Sequence, residues 1–252
     1  MNGQTTAGAH RPLLVLDFDG VICDSVEECL VSSWTAYHEL FRGLPPADPP
    51  PAARAPFRAM RPFVRSGEDF VLLQELVDKG DSVDSQEEFD RAWKRPGIPA
   101  HTVFKDLFYQ ARTNLMERDR PAWLAMNPIH GHVAAAIALL PPAYPLFILS
   151  TKKAQFVRET LSANGIRIAV ERVLYAEGEP KLSIIGKMLK TTGAPRAIFV
   201  EDQIDAIKGN TNPRIEVYLA SWGYVQKSWV QGNPAVTVLS PEGFRELLAG
   251  LV

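Results

Sequence analysis

Side chains able to bind metal ions and phosphate follow short apolar runs at several separate places in the sequence. They are Asp17, Asp19, Ser150, Lys181, Glu201 and Asp202. Carboxylates are the ligands that Mg²⁺ prefers, and this ion keeps waters or substrate phosphate in its remaining coordination positions. A hydroxyl and an ammonium group can hold phosphoryl oxygens, and a carboxylate can itself attack phosphorus. These residue types together predict Mg²⁺-dependent phosphoryl transfer, if the fold brings them to one place.

Each of these signals, taken alone, also has a structural explanation. An Asp-x-Asp-Gly sequence such as that at 17–20 is common in turns, and Ser150 before a helix is a typical N-cap. Glu201 and Asp202 could cap the helix that follows them and complement its dipole. The joint pattern favours a functional site, because independent caps would not be expected to carry complementary chemistry at successive strand ends.

The apolar runs are typical of strands that are buried on both faces, as in a parallel sheet. They lie at 13–18, 145–150, 172–175, 197–200 and 216–219, with a further strand expected at 235–239. Helical patterns alternate with them at 153–164, 182–191, 205–210 and 241–248. This alternation predicts an α/β fold with a doubly wound, Rossmann-like parallel sheet and right-handed crossovers. Ligands bind outside the carboxyl ends of such strands, so the candidate residues should meet at one edge of the sheet.

The interval 24–127 interrupts the alternation and has no convincing buried strand. It carries amphipathic stretches at 27–41, 70–79, 85–94 and 103–118, and a proline-rich connector at 44–62 whose first part should be irregular. We therefore expect two domains, a catalytic core made of 1–23 and 128–252 and an inserted, mainly α-helical cap at 24–127.

Three sequence motifs carry a resemblance to a known family. Asp-Phe-Asp-Gly at 17–20, with Asp-Ser at 24–25, resembles the opening signature of phosphatases of the haloacid dehalogenase (HAD) superfamily. Val-Glu-Asp at 200–202 resembles the fourth, acidic motif of that family, and Trp-Gly-Tyr at 222–224 resembles a sequence found in its phosphoglycolate phosphatase-like members. The resemblance covers the core, and it implies a HAD core with a helical cap inserted after the first motif.

The resemblance also implies an enzymatic mechanism. Asp17 would be a nucleophile that forms a phosphoaspartate, and Asp19 would protonate the leaving group and then activate water. The implied activity is that of a Mg²⁺-dependent phosphatase acting on a small phosphorylated metabolite. Because Asp19 is present, a dehalogenase is disfavoured, since halide needs no proton to leave.

The remaining candidate residues have supporting roles in this interpretation. Ser150 would hydrogen-bond a phosphoryl oxygen, and Lys181 would offset the charge of the nucleophile and the phosphoryl group. The implied metal ligands are Asp17, Asp19, Glu201 and Asp202. The sequence departs from the family pattern at the lysine motif, where Pro180 precedes Lys181 instead of following it, so Lys152 is a second candidate for the lysine role.

Two other functions remain open from the sequence. A phosphomutase of the β-phosphoglucomutase type would share every motif, and a non-catalytic HAD-fold binding protein would retain the fold without turnover. A further hypothesis concerns the cap, where four arginines recur at helical spacing between 54 and 65. Either Arg61 or Arg65 recognises an anionic group of the substrate, or the arginines form a solvated basic face.

Composition limits the partners and the location. The formal net charge is −2, which gives no indication of a nucleic-acid or anionic-membrane partner. The polar start at 1–11 lacks the apolar core of a signal peptide, and the two cysteines have neither zinc nor disulfide spacing. We expect a cytoplasmic protein with Mg²⁺ as its cofactor; the oligomeric state is open.

Overall fold

The computed structural model describes residues 11–231 and 236–252, which divide into two compact units. One unit, the core unit, contains the described residues up to Asp24 and those from Ile129 onward. The other, the helical unit, is Ser25–Pro128.

A six-stranded, fully parallel sheet forms the centre of the core unit. Its strands are β1 (Leu13–Leu16), β2 (Leu146–Ser150), β3 (Val173–Tyr175), β4 (Ala197–Glu201), β5 (Ile215–Ala220) and β6 (Thr237–Leu239). They lie in the order β3-β2-β1-β4-β5-β6, so the chain winds outward from β1 in both directions. The predicted doubly wound α/β fold is confirmed. The predicted start of the last strand at Ala235 lies outside the described residues.

Alternate residues of the central strands enter two separate hydrophobic cores. Leu14 and Leu16 of β1 pack into the core on one face of the sheet, whereas Leu13 and Val15 pack into the core on the other. Every position of β1 is buried, because helices cover both faces of the sheet. These helices are Gly131–Ile137, Ala154–Ala163, Lys181–Thr192, Ile204–Ile207, Lys227–Val230 and Pro241–Ala249, with a short 3₁₀ turn at Val170–Arg172.

The described helical unit is built from helices without a named strand. The α-helices are Val26–Trp34, Pro51–Met60, Gly67–Asp78, Gln86–Ala92, His101–Arg118 and Arg120–Ala125. The predicted helix at 27–41 continues as a π-helical segment from Thr35 to Phe41. The proline-rich connector is irregular only up to Pro50, because Pro51 occupies the first turn of a helix, where its missing N–H costs no hydrogen bond. Within the described chain, no helix combines the length and the apolar character that crossing a bilayer requires.

The arginines of the predicted cap are engaged within the helical unit. The Arg65 guanidinium forms two hydrogen bonds with Asp90, at 2.6 and 3.1 Å. Arg61 is buried over the ring of Phe70, 5.0 Å from the ring centroid, and donates to the carbonyl of Val64. These contacts favour structural roles for both arginines over recognition of a substrate anion, and they also show that Arg61 is not part of a solvated face.

A buried ion pair joins two helices of the helical unit. Arg112 donates from Nε to Glu28 Oε1 at 2.8 Å and from Nη2 to Glu28 Oε2 at 2.9 Å, and both side chains are almost fully buried. Ser32 Oγ also donates to Glu28 Oε1 at 2.7 Å, and the guanidinium lies 4.4 Å from the ring centroid of Phe108. Because both charged groups are buried, removing one partner leaves the other charge buried without its counter-ion.

We therefore predict that Arg112→Met lowers the free energy of unfolding by about 3–5 kcal/mol, measured by urea denaturation. The matched control is Arg54→Met, which removes an exposed arginine–glutamate pair with Glu27 of similar geometry and should cost no more than about 1 kcal/mol. Equal effects of the two substitutions would show that burial does not set the energy of the Glu28–Arg112 pair.

Candidate active site

The carboxyl ends of the two central strands place the predicted nucleophile beside a lysine and a glutamate. Asp17 follows β1, and its backbone N–H donates to the carbonyl of Val200 at 2.9 Å, which continues the pairing of β1 with β4. Lys181, the first residue of its helix, directs Nζ to Asp17 Oδ1 and to Glu201 Oε2, each at 2.7 Å. All three side chains are buried. The structure thus brings together residues that are 184 positions apart at most, from Asp17 to Glu201.

Burial of like charges dominates the electrostatics of this cluster. Burial and the neighbouring Glu201 carboxylate raise the pKa of Asp17 to about 7, although Lys181 opposes both effects. Burial lowers the pKa of Lys181, but the carboxylates of Asp17 and Glu201 raise it by more, so the net pKa lies above the ordinary value. The lysine is therefore a permanent cation, and the acids around it would be stabilised by further positive charge.

Glu201 and Asp202 are both held by backbone groups. Glu201 Oε1 accepts the backbone N–H groups of Asp202 and Gln203, both at 3.0 Å, while Oε2 faces Lys181. Asp202 Oδ2 accepts the backbone N–H of Tyr224 at 2.7 Å. The N-cap of the helix that follows is Gln203, whose side chain accepts the N–H of Asp205. The expectation that Glu201 and Asp202 cap this helix was therefore wrong.

The donor set of this cluster fits a hard divalent cation. Asp17, Glu201 and Asp202 each offer a carboxylate oxygen, and these oxygens lie within 4.8 Å of one another. Three buried carboxylates, two of which contact Lys181, match the all-oxygen, anionic ligands that Mg²⁺ takes in proteins. Asp19 has a different contact, since its Oδ1 lies 3.1 Å from Lys152 Nζ.

Both candidate lysines belong to the site, each with its own carboxylate. Lys152 is buried, contacts Asp19 and lies 5.4 Å from the ring centroid of Phe18, whereas Lys181 contacts Asp17. Ser150, at the end of β2, accepts the backbone N–H of Lys152 at 3.1 Å and so keeps its hydroxyl proton available for another acceptor. The sequence presented the two lysines as alternatives; in the structure Lys152 contacts Asp19, and Lys181 contacts Asp17 and Glu201.

Comparison with known proteins gives matches to solved structures alone. No protein-family model matches the sequence, and none of the curated proteins matches it. A predicted phosphoglycolate phosphatase from Haemophilus somnus is 16% identical, with a TM-score of 0.61 over 99% of this chain and 100% of that one. A haloacid dehalogenase-like hydrolase from Streptococcus pneumoniae is 15% identical, with a TM-score of 0.55 over 97% and 99%. A predicted phosphatase from Clostridium acetobutylicum is 13% identical, with a TM-score of 0.57 over 95% and 99%.

The chain has the haloacid dehalogenase fold. The resemblance seen in the sequence is confirmed at the level of the fold, and these structures are similar over nearly the whole length of the chain. The HAD fold explains why motifs that are far apart in the sequence converge, because every motif follows a strand of the same parallel sheet.

Two glycines of the HAD core allow the backbone to approach Asp202. A Cβ on Gly20, which has φ +89°, would lie 1.8 Å from Asp202 Oδ2, and a Cβ on Gly223 would lie 2.4 Å from Asp202 Cβ. The Gly20 constraint is therefore both conformational and steric. In the sequence, these glycines can be recognised only as parts of motifs, because their common neighbour, Asp202, becomes apparent only in the folded chain.

A comparison of two glycines with similar backbone angles tests this close approach. Gly178 has φ +83°, and a Cβ there would meet nothing within 4 Å, so Gly178→Ala should cost only the left-handed backbone penalty of about 1–2 kcal/mol. Gly20→Ala should lower the free energy of unfolding by about 1–3 kcal/mol more than Gly178→Ala, because the methyl group must displace Asp202. Equal losses in urea denaturation would show that Asp202 moves aside without cost.

Proposed function

We propose that this protein is a Mg²⁺-dependent phosphatase that transfers a phosphoryl group from a small phosphorylated metabolite to Asp17 and then to water. The observation that carries the proposal is the contact of Asp17 with Lys181 inside a group of acids able to hold a divalent cation. Two of the similar structures, a predicted phosphatase and a predicted phosphoglycolate phosphatase, agree with it.

In the first step, a carboxylate oxygen of Asp17 forms a bond to phosphorus while the bond from phosphorus to the leaving oxygen breaks. Asp19 gives a proton to that oxygen, so the product leaves as an alcohol. In the second step, Asp19 takes a proton from water as the water oxygen attacks phosphorus, and the bond to Asp17 breaks. Inorganic phosphate and the Asp17 carboxylate result, and Asp19 is again protonated for the next turnover.

The surrounding residues stabilise charge and fix directions in this scheme. Lys181 faces Asp17 and offsets the negative charge that collects on the transferring group, and Ser150 donates its hydroxyl to a phosphoryl oxygen. Lys152 fixes the direction of the Asp19 carboxylate. When bound by Asp17, Glu201 and Asp202, Mg²⁺ supplies charge neutralisation and orientation of the phosphoryl group.

The first test is phosphate release from a panel of phosphorylated metabolites, with Mg²⁺ and with excess chelator. Turnover should require Mg²⁺, and Asp17→Asn should lower kcat at least about 1000-fold because an amide is a poor nucleophile. Asp205→Asn is the matched control, because Asp205 lies in the short helix that follows β4 and pairs with Lys208. Activity that survives in Asp17→Asn would refute the assignment of the nucleophile, and a requirement for a bisphosphate activator would indicate a phosphomutase.

A second test traps the covalent intermediate. p-Nitrophenyl phosphate has a leaving group that needs no proton, so it should still phosphorylate Asp17 in the Asp19→Asn variant. The phosphoaspartate should then be hydrolysed slowly, because the variant lacks the base that activates water. Mass spectrometry of the quenched protein should then find one phosphoryl group on the peptide that contains Asp17, and none in Asp17→Asn treated in the same way. A phosphoryl group on any other residue would exclude the proposed mechanism.

A further inference from the structure

The turn that follows β5 reaches two separate parts of the candidate site through one residue. Tyr224, which is 8% exposed, donates its backbone N–H to Asp202 Oδ2 at 2.7 Å. Its phenolic hydroxyl donates to Asp24 Oδ1, also at 2.7 Å. Asp202 follows β4, whereas Asp24 ends the segment that follows β1. Tyr224 thus links two segments that lie beyond the ends of the paired strands β1 and β4.

The segment 17–24, here called the nucleophile loop, is held together by its own backbone. The N–H groups of Ile22 and Cys23 both donate to the carbonyl of Phe18 at 2.9 Å, and the N–H of Gly20 donates to the carbonyl of Cys23 at 2.7 Å. These bonds join Phe18 to Cys23, so a restraint on the neighbouring Asp24 is passed through the loop toward Asp17.

The same turn contacts the nucleophile loop at a second point. Trp222 donates from Nε1 to the carbonyl of Val21 at 2.9 Å. Gly223, between the two aromatic residues, allows close packing on Asp202, since a Cβ there would lie 2.8 Å from Asp202 Oδ2. Each residue of the Trp-Gly-Tyr sequence therefore lies at the site, and Tyr224 bonds the loop and Asp202 at once.

We propose that Tyr224 is a positioning residue of the metal site, which sets the distance between the carboxylates of Asp17 and Asp202 by bonding Asp24 and Asp202 together. The inference rests on the proposed function, because it assumes that these acids bind Mg²⁺. Outer partners that orient metal ligands contribute strongly to affinity, since a cation that demands regular geometry binds poorly to ligands that drift.

The test measures metal binding by the protein alone. Mn²⁺ takes the same oxygen ligands as Mg²⁺, and its free form can be counted by electron paramagnetic resonance. Tyr224→Phe keeps the ring and the backbone N–H but loses the bond to Asp24, and it should weaken Mn²⁺ binding about tenfold. Asp24→Ala should have the same effect, and the double variant should be no weaker than either single variant. Asp24→Asn retains an acceptor oxygen and should bind within about threefold of wild type.

Tyr144→Phe is the matched control. Tyr144 is also buried in the core unit, and its hydroxyl donates to the carbonyl of Pro12 at 3.0 Å, before the first residue of β1 and so at the opposite edge of the sheet. This variant loses a comparable hydrogen bond, and its Mn²⁺ affinity should stay within about twofold of wild type. In turnover, Tyr224→Phe should raise the half-saturating Mg²⁺ concentration about tenfold, with the KM for substrate unchanged at saturating Mg²⁺.

Three outcomes would overturn this inference alone. Mn²⁺ affinity of Tyr224→Phe within twofold of wild type would do so, as would losses from Tyr224→Phe and Asp24→Ala that multiply in the double variant. Equal weakening by Tyr144→Phe would show that the loss reflects general destabilisation. A wild-type protein that binds no Mn²⁺ would remove the metal site and the proposed function together, whereas wild-type binding that Tyr224→Phe leaves unchanged would overturn this inference alone.

Discussion

The ion pair between Asp17 and Lys181 is the interaction on which the core site depends. Without the lysine, Asp17, Glu201 and Asp202 would be three buried carboxylates in contact range, which is an arrangement that proteins avoid by protonation or by burying a cation beside them. Lys181 bridges Asp17 and Glu201 but does not offset both effects that raise the pKa of Asp17, which are burial first and the Glu201 carboxylate second. The three carboxylates of the site thus have one lysine, Lys181, to offset their negative charge, and further positive charge would stabilise them.

The rest of the core unit holds these acids in place. β1 and β4 are central in the sheet and buried, so the acids that follow them begin from rigid positions. Beyond the strand ends, other contacts replace the ladder: the backbone N–H groups after β4 hold Glu201, and the turn after β5 holds Asp202. Gly20 and Gly223 remove the Cβ atoms that would push Asp202 away.

The parts of this arrangement that were predictable from sequence are those that depend on local pattern. Buried strands follow from apolar runs, and the convergence of Asp17, Ser150 and Glu201 follows from the rule that parallel strands end at one edge. The partition of Lys152 and Lys181 between Asp19 and Asp17 was not predictable, because both lysines follow strand ends and only three-dimensional distance distinguishes them.

Long-range pairs escaped prediction for the same reason. Nothing in the neighbourhood of Tyr224 or Asp24 indicates that they meet, since they are 200 positions apart, and Glu28 and Arg112 are 84 apart. Helix 51–60 was hidden differently: its prolines resemble a connector, but Pro51 lies in the first turn, where proline is tolerated. Local sequence patterns do not indicate which distant residue becomes the partner in the folded chain.

Charge also sets the order of events that the site favours. Asp17, Asp19, Glu201 and Asp202 carry four negative charges when ionised, against two positive charges on Lys152 and Lys181. A phosphate ester approaching this edge of the sheet meets a net repulsion, and a bound divalent cation cancels it. Under the proposed function, the metal should therefore bind before the substrate, and the proposed positioning of Asp202 by Tyr224 would affect turnover chiefly through the occupancy of the metal site. In this proposal, Tyr224 would influence the reaction through the metal ligands rather than through contact with a reacting atom.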